Sequence, residues 1–116
     1  MDTNTAVVAL GALAQETRLQ VFRLLVQAGK DGLAVSRIAE LLGTEANGRL
    51  SFHLKELVNA GLASTRQAGR FIYYSANYPA MNDLLAYLTE QCCGGVACGE
   101  PVIACNPAQL SDSSTK

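Results

Sequence analysis

This 116-residue chain predicts a mostly α fold with a small β-hairpin. Three observations point there. Apolar residues recur at helical spacing in successive short segments punctuated by glycine. The stretch "LASTRQAGRFIYYSAN", rich in Thr, Phe, Ile and Tyr, then breaks that period around a Gly-containing turn. A further helical segment follows, opened by Asn77 and Pro79.

The elements follow in chain order. "TAVVALGALAQ" is apolar nearly all round and compatible with a helix. In "ETRLQVFRLLVQAGK", Leu19, Phe22, Leu25 and Val26 share a stripe, and Gly29 is a natural stop. "VSRIAELLG" is a short helix with Val35, Ile38 and Leu42 as its expected buried face, ended by Gly43. After the turn "GTEAN", the segment "GRLSFHLKELVNAGL" puts Leu50, Leu54, Leu57 and Val58 on one stripe and Gly61 just past its end. Two short helices joined by a tight turn make a helix-turn-helix. The hairpin behind it is expected to have two short strands and a bulged or longer loop at "QAGR". The last helix, "AMNDLLAYLTEQ", starts with Asn77 as cap and Pro79 in the first turn, carries Met81, Leu84, Leu85 and Leu88, and is broken by Gly94–Gly95. A helix-turn-helix followed by a hairpin is a winged helix-turn-helix, here in the order four helices, two strands, one helix. The first and last helices are too apolar for so small a body and are expected to pair with those of a second copy.

Length allows one compact domain. We place a winged-helix and dimerisation domain at 1–91, a cysteine-rich segment at 92–105, and a polar, disordered tail at 106–116. No apolar run is long enough for a membrane span. "MDTNTAVVALGALAQ" lacks the basic start and cleavage site of a secretory signal. A cytoplasmic location is therefore expected, where clustered cysteines are metal ligands or redox groups rather than a disulfide framework. Net charge is −1, but it is unevenly spread. Residues 30–70 hold six cations against four carboxylates, whereas residues 71–116 hold one against four. A dimer doubles the positive middle.

Stepping 100° per residue from Leu54, the outward face of "GRLSFHLKELVN" collects Gly48, Arg49, Phe52, Lys55, Glu56 and Asn59, with Ser51 and His53 flanking the apolar stripe. Phe52, opposite the core, suits a thymine methyl in the major groove. Gly48 lets a backbone come close at the helix start. Arg66 and Arg70 flank the hairpin tip, where a wing meets phosphates. The bland reading makes Arg49 and Lys55 solvated charges, Phe52 a lone surface aromatic, and His53, the single histidine, a packing or hydrogen-bonding residue. Taken together, the set predicts double-stranded DNA as partner.

"ETRLQVFRLL", "LSFHLKELVNAGL" and "GRFIYYSAN" resemble the ArsR family of metal- and metalloid-sensing winged-helix repressors, over about residues 10–90. The resemblance implies a homodimer that binds a palindromic operator and leaves it when inducer binds. It also implies recognition-helix roles for Ser51, Phe52, His53 and Lys55 and wing roles for Arg66 to Arg70. Three family sensing patterns are missing. "VSRIAELLG" has no Cys-x-Cys, the last helix has Asp83 but no histidine, and the second helix has no cysteine.

Sensing is therefore sought in the chain's own cysteines. Cys92 and Cys93 are adjacent, Gly94–Gly95 allow a reversal, and Cys98 can return toward the pair. Three soft thiolates without histidine or carboxylate suit trigonal As(III) or Sb(III), and the arrangement resembles family members with an arsenic site at the C-terminal end. Other readings stay open. Zinc, cadmium or lead could use Cys105 as fourth ligand, and a Cys93–Cys98 disulfide could sense oxidation. A thiol enzyme or metallochaperone for arsenic is the reading of a different class, against which "CCGGVACGE" offers no nearby Arg or Lys to cradle an anion.

Overall fold

A computed structural model describes residues 1–95. The chain runs α1 (Thr3–Leu13), α2 (Glu16–Ala28), β1 (Leu33–Ala34), α3 (Val35–Leu42), α4 (Gly48–Asn59), β2 (Ala63–Ala68), β3 (Phe71–Ala76) and α5 (Tyr78–Leu88), followed by a 3₁₀ turn at Cys92–Gly95. This is the winged helix-turn-helix expected from the sequence, with three corrections.

The first is a third strand. β1 pairs antiparallel with β3, Leu33 against Tyr74 and Ala34 against Tyr73, giving the sheet order β1-β3-β2. Two residues are too few to show a period-two pattern. Their position is fixed by Gly32, where a Cβ would come within 2.3 Å of the Tyr74 carbonyl oxygen at a φ of +78°. Secondly, the hairpin loop is neither bulged nor long. Pairing continues to Ala68–Phe71 and leaves only Gly69 and Arg70 in the turn. Gly69, at φ +63°, adopts the left-handed conformation that a two-residue loop needs. The third concerns α5, which ends at Leu88 and not beside the cysteines. The Thr89 hydroxyl donates to the Leu85 carbonyl at 2.9 Å, and Gln91 then turns left-handed at φ +59°.

The helix boundaries follow from local chemistry. The Asn47 side chain accepts from the Leu50 N–H and caps α4. At the other end Gly61, at φ +80°, lets the Leu62 N–H return to the Leu57 carbonyl at 3.0 Å. Gly43 closes α3 in the same way, through Thr44 to Ala39. Asn77 caps α5 by accepting from Ala80, and its own amide donates to the Gly61 carbonyl at 2.9 Å. One side chain thus joins the end of α4 to the start of α5.

Val21, Leu25, Ile38, Leu54, Leu57 and Leu62 fill the centre of the core. Tyr78 is buried with them, its hydroxyl donating to the Val26 carbonyl at 2.8 Å. In α2 the inward face is Val21, Phe22 and Leu25. Leu19, expected in the buried stripe, is 44% exposed. It lies with Phe22, Val26, Met81, Leu84 and Leu85 along an apolar groove of about 400 Å³ between α2 and α5. In α1 the small residues Ala6, Ala9 and Ala12 face inward, and the larger Val7, Val8 and Leu10 face out. Thr3 and Tyr87 hydrogen-bond through their hydroxyls and tie α1 to α5. Among the described residues, no helix is long and apolar enough to cross a membrane.

Candidate functional site

α4 presents two unlike faces. Leu50, Leu54 and Leu57 are buried, whereas Gly48, Arg49, Ser51, Phe52 and Lys55 are exposed. Phe52 is 53% exposed, a large aromatic held in water at the middle of the outward face. A Cβ on Gly48 would meet nothing within 4 Å, so crowding inside the fold does not demand glycine there. Arg49 shares a cleft of about 320 Å³ with Thr17, Gln20, Thr44, Asn47 and His53, where α2 passes the turn before α4. The unpaired amides at the start of α4 add partial positive charge on the same side.

His53 departs from its neighbours. It is 8% exposed, and its Nδ1 accepts a hydrogen bond from Arg18 Nε at 3.2 Å. The Arg18 guanidinium also lies 5.9 Å from the centre of the Phe52 ring, whose plane is tilted 58° to the imidazole. Burial, followed by the charges of Arg18 and Arg49 and opposed by Glu56, holds the His53 pKa below its ordinary 6.5. Arg18 escaped the sequence reading. A signal was available, since positions three, four and seven residues on, Val21, Phe22 and Leu25, are all buried. A cation on that face needs a partner inside.

The two wing arginines differ. Arg66 Nη2 donates to the Asp31 carbonyl at 2.9 Å, and its guanidinium sits 4.8 Å from the ring of Tyr73, its cross-strand partner. It holds the wing to the segment before β1. Arg70 occupies the turn itself and is exposed.

Of the predicted thiol site, two members are described. Cys92 Sγ and Cys93 Sγ are 3.8 Å apart. Two thiolates each about 2.3 Å from one ion can be at most about 4.6 Å apart, so the spacing itself is short enough for sharing once both sulfurs are reduced. Cys92 is free, while Cys93 is disulfide-bonded. Cys98 and Cys105 lie outside the described residues. Among the described residues, no group of three His, Cys, Asp or Glu side chains could hold a metal.

A family described as a helix-turn-helix domain matches residues 13–66. The arsenical resistance operon repressor of Bacillus subtilis is 35% identical over 82 residues, which cover 71% of this chain and 73% of the repressor. The chain belongs to the ArsR family of winged-helix transcriptional regulators. Solved structures share the fold. An ArsR-like transcriptional regulator from Rhodococcus superposes with a TM-score of 0.65 at 26% identity, covering 73% of this chain and 76% of its own. The homodimeric winged helix-turn-helix DNA-binding domain of a possible ArsR-family regulator from Mycobacterium bovis superposes at 0.60, covering 84% and 89%. At 23% identity it speaks to the fold alone. In this ArsR-family chain α3 and α4 are the helix-turn-helix and β2–β3 the wing.

Proposed function

We propose that the protein is a homodimeric repressor that grips a palindromic operator and releases it when Cys92, Cys93 and Cys98 bind trivalent arsenic, or antimony in its place. The observation that carries the DNA half is the exposed face of α4, with Arg49, Ser51, Phe52 and Lys55 around Gly48. Two such helices enter successive major grooves about 34–36 Å apart. Arg49 and Lys55 meet phosphates or base edges, Phe52 a thymine methyl, and Arg70 the backbone beside the site. His53 serves from beneath the surface, and Arg66 holds the wing in place. The outward Val7, Val8 and Leu10 of α1 and the exposed Leu88 of α5 support pairing through these two helices.

The arsenical half is supported by the Bacillus relative, an arsenical resistance operon repressor, and by the two neighbouring sulfurs. Three thiols displace the three hydroxyls of arsenous acid, forming three As–S bonds and releasing three waters. Only reduced cysteines can do this. Binding draws the segment after α5 into one shape, and α5 transmits that to the spacing of the two reading helices. A coupling of roughly 1–3 kcal/mol suffices. The disulfide at Cys93 favours one second reading, in which oxidation of the same thiols is the signal. The thiol-enzyme reading gains nothing from a relative that is a repressor.

The test is binding of a labelled duplex, selected by the protein from a random pool, at fixed salt with a phosphine reductant. Arsenite should release wild type, whereas Cys92→Ser, Cys93→Ser and Cys98→Ser bind DNA but ignore arsenite, and Cys105→Ser behaves as wild type. Unchanged affinity with arsenite would refute the arsenical half. Release by peroxide alone would establish the oxidation reading instead.

A further inference from the structure

We infer that Arg18 is a positioning residue for DNA recognition: from α2 it holds His53 and Phe52 of α4 in one arrangement, so that the reading helix is preset before DNA arrives. The inference rests on the proposal that α4 reads DNA.

Two contacts converge on one guanidinium, and a third joins the two rings it meets. Arg18 Nε donates to His53 Nδ1 at 3.2 Å, the guanidinium lies 5.9 Å from the Phe52 ring centre, and the Phe52 and His53 ring centres are 5.8 Å apart. A guanidinium only donates, so the imidazole must accept at Nδ1 and carry its proton on Nε2. That fixes the tautomer and, with it, the ring's orientation. No carboxylate pairs with Arg18 among the described residues, and His53 and the face of Phe52 are the groups beside this half-buried charge. The consequence falls on Phe52. With one side against a planar cation anchored in α2, the exposed ring loses rotamer freedom before binding, and less ordering remains to oppose association.

The arrangement has a built-in way to fail. A protonated imidazole has no lone pair for Arg18. It also adds a cation beside Arg18 and Arg49, and only Glu56, among the charged groups that act on it, favours that charge. The link between α2 and α4 then opens, although the surface becomes more positive. Affinity for any duplex should rise slightly with the added charge, while preference for the selected duplex should fall.

His53 is the sole histidine, so its imidazole nitrogens give a single set of NMR signals. In wild type at pH 7.5 the spectrum should show the neutral Nε2–H tautomer, titrating below pH 6.5. Arg18→Met, which keeps length without a donor, should give a mixed tautomer. It should also cut the preference for the selected over an unrelated duplex by about tenfold, the size a coupled pair gives. His53→Leu should do the same, the double variant should be no worse than either single one, and His53→Gln, which keeps an acceptor, should restore most of the preference. A wild-type Nδ1–H tautomer would overturn the inference without recourse to any variant. So would an Arg18→Met protein that discriminates as wild type does, and in that case α4 still reads DNA. If wild type enriches no duplex at all, the DNA proposal falls first and this inference with it.

Discussion

Gly32→Ala would place a Cβ 2.3 Å from the Tyr74 carbonyl oxygen at a φ of +78°, in a crossing that no side-chain movement relieves. We expect a loss of more than about 2 kcal/mol in urea unfolding. Gly48→Ala meets nothing within 4 Å and should stabilise the fold by up to about 1 kcal/mol. Its cost should appear only in duplex affinity, which would show that the space is kept for something outside the chain. The sequence pointed to Gly48 because it opens a periodic helix. It could not point to Gly32, whose reason is a strand more than forty residues away. His53 gives a pH signature at the same scale. Its folded pKa is lowered, so on acidification the unfolded chain takes the proton first. Stability is full above about pH 6.5 and declines as pH falls from there toward the folded pKa. Urea midpoints at pH 7.5 and 5.5 should differ in wild type, and the difference should shrink in His53→Gln.

At the scale of elements, most of the architecture could be read in advance because caps and stops are local. Gly43, Gly61 and Asn77, named from the sequence, and Asn47, which the sequence showed only as part of the turn "GTEAN", act on backbone groups within a few residues, and all four positions end or begin a helix in the structure. Asn47→Ala should therefore cost about 1 kcal/mol and be felt mainly at the start of α4. What misled was burial that depends on distant neighbours. Leu19 matches the spacing of the α2 stripe, yet α2 has two apolar sides, one toward the core and one toward the groove with α5. Periodicity does not distinguish them. The wing arginines likewise look equivalent in sequence. Arg66 is engaged with Asp31 and Tyr73, and Arg70 is exposed in the turn. Arg70→Ala should lower the slope of log affinity against log salt by about 1, as loss of one phosphate contact does. Arg66→Ala should instead loosen the wing, which amide exchange in β2 and β3 would register.

For the whole molecule, an excess of apolar residues in the first and last helices was legible in the sequence, but not which of them the fold leaves outside. Ala6, Ala9 and Ala12 let α1 lie close to the body, and the larger side chains are left outside. Val8→Glu should give a folded monomer by sedimentation, with affinity for a palindromic duplex reduced by at least about tenfold, since two linked half-sites bind far better than one. A folded dimer in that variant would remove α1 from the interface.

The alanine side of α1 has one more consequence. In the proposed dimer, the residues that fix this helix in its own subunit, Ala6, Ala9 and Ala12, and those offered to a neighbour, Val7, Val8 and Leu10, share no side chain. Drift on the outer side can therefore alter which sister protein the chain accepts without disturbing how the chain folds, so duplicated copies in one cell can become mutually deaf through a few valine and leucine exchanges.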